Sequence, residues 1–370
     1  MKKGFSAVRL FFTSAIVSFN VIAALLMIVS AYSDRISPET NVLFAYLGLF
    51  FPIICFINFI FILYWLFQLA WKQMLIGVIA FVICWVPVKN FFPMHMRSKD
   101  VPKENVLKVL TYNVMGFAYK NDTPDSPNGI LQYIANSGAD IVCMQEYAVS
   151  NSSKLLTANK VYRALKMYPY HSVIPIANAG MLNFGIAVFS KYPISGSHRI
   201  DYKSDFNGSA IHFINIKGKK VAVINNHLES FKLTTEDRSR YSAFFHDISS
   251  ENFSVLKGTL RQKLGPAYRM RANQADKVAE EIDKIEADYV IVCGDFNDTP
   301  ISYAHRKIQG SFADSFAESG RGMGVSYNRN MFWFRIDHIL HSQNMKSYNC
   351  VVDKIRLSDH YPMWCYIEMK

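Results

Sequence analysis

Three things are missing from this sequence: paired cysteines, internal repetition, and charge in its first quarter. The six cysteines show no paired spacing, so neither a thiolate zinc site nor a disulfide framework is indicated. Cys55 and Cys84 fall in long apolar runs, Cys143 and Cys293 in short strand-like ones, and Cys350 and Cys365 stand apart. No repeat or low-complexity segment is present, which sets aside solenoids and linker-like chains. Before residue 95 lie only six of the 40 Lys and Arg and two of the 29 acids. The remainder therefore holds 34 basic against 27 acidic side chains, a surplus of about +7. Such a surplus suits an anionic substrate or an anionic membrane surface.

Where charge is missing, apolar residues run on. Leu10 to Tyr32 and Val42 to Phe67 contain no charged side chain, and a third run starts at Met74 and continues past Lys89 to Phe92. About 20 apolar residues cross a hydrocarbon core, so the expected spans are 10–32, 42–67 and 74–92, forming a membrane anchor over 1–93. The first is not a cleaved signal peptide, being too long and without a small-residue cleavage site. Lys2, Lys3 and Arg9 favour a cytoplasmic N-terminus, with Lys72 on the same side after two spans. Three spans then put everything after Phe92 on the non-cytoplasmic side of a plasma or inner membrane.

A polar linker, residues 94–105, precedes strand and helix signals that alternate through 106–370. Val-, Ile- and aromatic-rich runs predict strands beginning at Val106, Ala139, Gly185, Ser209, Lys220, Asp288, Phe334 and Pro362. Helices are predicted over Gly129 to Asn136 and Tyr268 to Lys284, the second with Met270, Ala275, Val278, Ala279 and Ile282 on its apolar face. Several strands are apolar on both faces, as in sheets packed between other layers. Residues 231–267 read as a helical insertion of mixed charge.

Acids, amides and imidazoles recur where these apolar strands end. Asn113 closes "LTYN", Glu146 closes "DIVCMQE", and Asn226 and His227 close "VAVINNH". Asp295 and Asn297 close "VIVCGDFN", Asp337 and His338 lie in "RIDHIL", and Asp359 and His360 in "LSDH". Burying such groups singly is costly, so one convergent polar site is the economical explanation. Carboxylates and amides without cysteine are hard oxygen ligands of the kind that hold magnesium or manganese. With histidines beside them they suit metal-assisted attack of water on a phosphate ester.

The ordered set "TYNV", "MQE", "GIAVFSK", "NHL", "GDFN", "RIDHIL" and "SDH" resembles the endonuclease/exonuclease/phosphatase superfamily over roughly residues 105–368. That resemblance implies a four-layer α/β sandwich, two packed mixed sheets flanked by helices, with a Mg2+ (or Mn2+) phosphoesterase site at their edge. It implies Glu146 as the principal metal ligand, with Asn113 and Asp359 near the ion. Asp295 would position or activate the water, helped by Asn297, and Asp298 with Pro300 would turn the chain away. His360, held by Asp337, and His227 would contact the scissile phosphate from two sides. Asp314 in "FADSF" matches a recurrent acid of structural role.

Some nuclease members carry an acid two residues after the first Asn, where this chain has Met115, so a second catalytic ion is not expected. "NHLES" replaces the "HLHA" of several branches, and no abasic-site or groove-reading loop is recognisable. The expectation is a membrane-anchored phosphodiesterase, nuclease-like first and lipid- or inositol-phosphate-directed second. A non-catalytic scaffold on the same fold would have lost a site residue, and none is lost. The expected partners are a phosphate-ester substrate, nucleic acid or phospholipid headgroup, and the bilayer; no protein partner is inferable.

Overall fold

The computed structural model describes residues 2–95, 100–231, 258, 260–329 and 334–370. The chain divides into two compact units, Met1–Phe91 with Ile301–Tyr303, and Phe92–Pro300 with Ala304–Lys370.

The first unit is helical: α1 (Lys2–Ala31), α2 (Val42–Leu49), α3 (Phe51–Phe67), α4 (Trp71–Ile83) and α5 (Trp85–Phe91). Among the described residues one helix, over Leu10–Arg35, is long and apolar enough by itself to cross a membrane. The runs expected to be continuous over 42–67 and 74–92 are instead bent, by 55° between α2 and α3 and by 68° between α4 and α5. Proline explains both breaks, since Pro52 and Pro87 sit at the start of the second half of each pair and lack the N–H a continuing helix requires. The Ile83 carbonyl, four residues before Pro87, accepts a hydrogen bond from the Tyr32 hydroxyl at 2.6 Å instead. Buried amides tie these helices together: Asn58 Nδ2 donates to the Ala23 carbonyl at 2.9 Å and Asn20 Nδ2 to that of Gln73 at 3.2 Å. Many large apolar side chains of this unit, Leu25, Phe56, Ile79 and Val82 among them, are exposed.

The second unit contains β1 (Val106–Asn113), α6 (Gly129–Asn136), β2 (Ile141–Ser150), α7 (Ala158–Ala164), β3 (Tyr170–Ala179) and β4 (Leu182–Ser190). There follow β5 (Ile194–Ile200), β6 (Gly208–Ile216), β7 (Lys219–His227), α8 (Gly265–Ile282), β8 (Tyr289–Asp295) and α9 (Tyr303–Gln309). The last elements are β9 (Ala313–Asp314), α10 (Ser315–Ser319), β10 (Asp337–His341), β11 (Met345–Val352) and β12 (Met363–Met369). They make two six-stranded sheets, ordered β11-β12-β1-β2-β4-β3 and β5-β6-β7-β8-β10-β9. Both are mixed: β1 with β2 and β7 with β8 are parallel, and the remaining pairs are antiparallel.

Alternation along the strands assembles the core in three leaves. Val109, Cys143, Val223, Ile291, Cys293 and Ile339 meet between the sheets. Their neighbours Leu110, Val142 and Met144 turn the other way, onto Ile130 and Ile134 of α6 and Val161 of α7. Ala222, Ile224, Val292 and Leu340 pack likewise against α8 and α9 through Ala275, Val278, Ala304 and Ile308. The result is an α/β sandwich with the expected two sheets and flanking helices. Met270, expected on the buried face of α8, is 41 % exposed, and Arg271 is buried in its place. Residues 232–257 and 259 of the expected 231–267 insertion, and residues 330–333 of "NMFWF", lie outside the described residues.

Candidate active site

Most polar strand ends named from the sequence converge at one edge of the sandwich because side chains alternate with a period of two; Asn226 and His338 alternate to the opposite face and do not join them. Asn113 continues the face of Val109, His227 that of Val223, Asp295 that of Cys293, and Asp337 that of Ile339, and all of these point between the sheets. Glu146 breaks the rule. Strict alternation would send it to the helix side, but a bulge lets Gln145 and Glu146 together oppose one position of β4, and Glu146 adopts φ +50°. That left-handed conformation is unfavourable for a residue with a side chain, and bulges with such strain cluster where a side chain must be re-aimed. Gly294 solves a related problem on β8: with φ +128°, any Cβ there would collide with the Asn226 carbonyl of β7.

Asn113 sits at the centre of the pocket. Its Nδ2 donates to Glu146 Oε1 at 3.0 Å and to Asp295 Oδ2 at 3.1 Å, while its Oδ1 accepts from the Met115 N–H. His227 Nε2 lies 3.6 Å from Glu146 Oε1 and 3.8 Å from Asp295 Oδ2. His360 Nε2 lies 3.6 Å from the same Asp295 oxygen, and its Nδ1 donates to Asp337 Oδ2 at 2.8 Å. The His360 ring also meets Tyr327 edge to face, at 5.1 Å between centroids. Asp295 Oδ1 accepts from the Asn297 N–H at 2.8 Å, and Asn297 Nδ2 donates to the Leu228 carbonyl. Asp359 is half-buried, with Oδ1 accepting from the Ser358 hydroxyl at 3.3 Å.

Electrostatics separates these groups by role. Burial raises the Asp295 carboxyl to about 6, against the pull of the His360 and His227 imidazoles. Glu146 is also raised, by desolvation first, with Asn113 opposing and Asp359 adding to it. Burial alone would keep His360 neutral, but the Asp337 and Asp295 carboxylates outweigh it and raise its pKa well above the ordinary imidazole range. His227 goes the other way, lowered by burial despite Asp295. Asp337 Oδ1 is buried and has no hydrogen-bond partner among the described residues. Uncompensated carboxylates, oxygen-rich donors and an orphaned buried oxygen fit a hard divalent cation. Asp295, Asp337 and His360 offer ligand atoms within 4.8 Å of one another.

A supporting shell escaped the sequence reading. Gln145 Nε2 donates to Thr111 Oγ1 at 3.0 Å and to Asn225 Oδ1 at 2.6 Å, an amide pillar joining the two sheets directly beneath the pocket. The Ser358 hydroxyl donates to the Asn113 carbonyl at 2.8 Å. Asp298, read as a turn residue, is a buried ion-pair partner: Arg271 Nη1 lies 2.8 Å from its Oδ2. The same guanidinium donates through Nε to the Glu229 carbonyl, so α8 grips the segments after both β7 and β8. A charged residue at a buried helical spacing was the available signal, and polar residue type alone concealed it.

Comparisons with known proteins bear on the family and the fold. Residues 110–360 match the model described as "Endonuclease/Exonuclease/phosphatase family", and residues 10–91 match "Domain of unknown function (DUF8431)". A Drosophila melanogaster protein named "Putative neutral sphingomyelinase" is 28% identical over 138 residues, 34% of this chain, and the match spans only 30% of that protein's length. The catalytic domain of human nocturnin, solved with bound sulfate, superposes with a TM-score of 0.50 at 15% identity, covering 75% of this chain and 99% of that one. Sphingomyelinase C from Streptomyces griseocarneus gives 0.44 at 18% identity, over 72% and 99%.

Proposed function

The chain belongs to the endonuclease/exonuclease/phosphatase family, and on that premise we propose that it is a membrane-anchored, divalent-metal-dependent hydrolase of phosphodiester bonds. The observation carrying this reading is the convergence of Asn113, Glu146, His227, Asp295, Asp337 and His360 on one pocket. Glu146, with Asn113 and Asp359 beside it, would hold magnesium or manganese, which when bound there neutralises charge on the phosphoryl oxygens. Asp295 serves as the base: a carboxyl titrating near 6 is both ionised and proton-seeking around neutral pH. Asn297 helps to orient the water and the phosphate. His360, kept cationic by Asp337, donates to the anionic transition state, and His227 contacts the phosphate from the opposite side.

The anchor is residues 1–93, the linker 94–105 and the catalytic part 106–370, carrying the insertion at 231–267. The spans are α1, α2 with α3, and α4 with α5, each bent pair crossing once. The Tyr32 hydroxyl on the Ile83 carbonyl at the α4–α5 break supports this, since backbone groups freed by proline in hydrocarbon must be satisfied by neighbouring helices. An uneven span count sets the catalytic part on the non-cytoplasmic face of a plasma or inner membrane.

Two readings of the substrate remain, and one is favoured. Tyr119, which follows the Asn113 turn, is 58% exposed, and Phe206, two residues before the strand partner of His227, is 51% exposed. Apolar rings at a site rim suit a phospholipid headgroup better than a nucleic-acid backbone, which asks for rows of Lys and Arg. The partial likeness to a sphingomyelinase-named protein points the same way. The test is hydrolysis by the full chain in vesicles, with magnesium and with chelator, offered phosphodiester lipids, DNA and RNA. Chelator-sensitive lipid cleavage is expected. Nucleic-acid cleavage alone reverses the substrate reading, and chelator-resistant activity unaffected by Glu146→Gln overturns the mechanism.

A further inference from the structure

β10 carries two chemistries on its two faces. Asp337 points between the sheets into the pocket just described, and the next residue, His338, points the opposite way, toward α9. There it meets His305 of α9 and Asp314 of β9. All three are buried, at 0%, 1% and 5% exposure, and their ligand atoms lie within 4.8 Å of one another.

We propose that His305, Asp314 and His338 bind one divalent transition-metal ion of the zinc class, separate from the catalytic cation. The tautomer of His338 is the first argument. Its Nε2 lies 2.9 Å from the Asp298 carbonyl, and a carbonyl only accepts, so Nε2 carries the proton and Nδ1 bears a lone pair. That Nδ1 is buried with no hydrogen-bond partner among the described residues. An imidazole whose far N–H is held by a backbone carbonyl, leaving the other nitrogen bare, is the arrangement that metal-binding histidines adopt.

Asp314 supplies the second argument. Its Oδ1 is fully used in capping α10, accepting from the Phe316 and Ala317 N–H groups at 2.8 and 3.1 Å. Oδ2 is left facing His305 Nε2 at 3.3 Å. Arg335 is the competing cation, with Nη2 3.7 Å from the same oxygen, so an ion must share Asp314 with it. Two imidazole nitrogens and one carboxylate oxygen select zinc-class metals over magnesium. Ligand atoms around tetrahedral zinc sit about 3.3–3.5 Å apart, so small side-chain rotations close the site.

The test is metal content of the intact full-length chain, purified in detergent with excess magnesium so that the catalytic pocket is not scored. About one equivalent of zinc is expected, retained by Glu146→Gln and lost by His305→Gln and by His338→Phe. Cobalt loading should give the intense visible bands of a tetrahedral nitrogen-ligated ion, absent from both histidine variants. A wild-type chain that holds no zinc and shows no rise in Tm on adding it overturns the proposal, whether or not the variants fold. Equal zinc in wild type and in a folded His338→Phe does so as well, and leaves the cluster an ion-paired, ring-packed part of the core.

Discussion

Two clusters with the same ingredients, imidazoles and carboxylates, lie on opposite faces of β10, and they differ in how their charge is settled. The front cluster has Asp295 and Glu146 raised above the usual carboxylate range and an orphaned Asp337 oxygen. In the rear cluster Asp314 is depressed well below that range: burial works against it, but the Arg335 guanidinium and His305 prevail. The front keeps an opening, with a third of the Glu146 side chain exposed, while the rear is sealed. Unresolved charge beside an opening marks a place for substrate and chemistry, whereas a sealed cluster can hold only an ion of structural role.

The widest gap between the faces should appear in turnover. Glu146→Gln is expected to reduce hydrolysis by about 10³-fold or more with an unchanged melting curve; intact kcat would erase the distinction. Next, Asp337→Asn should cost on the order of 10²-fold and shift the pH profile. His360 acts as a cation, so activity persists below its raised pKa and fails as pH climbs through it; without Asp337 that failure should come at lower pH.

Stability separates the faces in the opposite sense. Arg271→Met strands the buried Asp298 carboxylate and should lower stability by about 3–5 kcal/mol, measured by denaturant unfolding. Adding Asp298→Asn should restore part of it. The smallest effect belongs to Asp295 in metal-free protein. Its folded pKa of about 6 exceeds the unfolded value near 3.8, so its contribution is present below pH 4 and is lost as pH rises to 6. That loss is at most about 3 kcal/mol, and Asp295→Asn should flatten the Tm profile across this window.

What the sequence made legible follows from the same physics. The eight strands it foretold are the eight interior ones, whose two covered faces write continuous apolar runs. The missed strands, β3, β5, β9 and β11, are the four sheet edges. An edge strand such as "YHSVIPIANA" is mostly half-buried or exposed along its length and so carries no clean pattern. The strand-end acids and histidines were visible because polar groups stand out at the end of apolar runs. The Glu146 bulge was not, since φ +50° leaves no mark on residue type. Gln145, Asn225 and Arg271 went unnoticed because their partners lie 80, 80 and 27 residues away.

β1 is enclosed by β2 on one side and β12 on the other, with Val106 paired to Glu368. A ribosome adding roughly 5–20 residues per second therefore leaves one edge of β1 uncovered for about 13–50 s, until Glu368 is made. Synthesis rate, and chaperones that shield strand edges, should therefore govern the yield of this protein more than the final stability of its core.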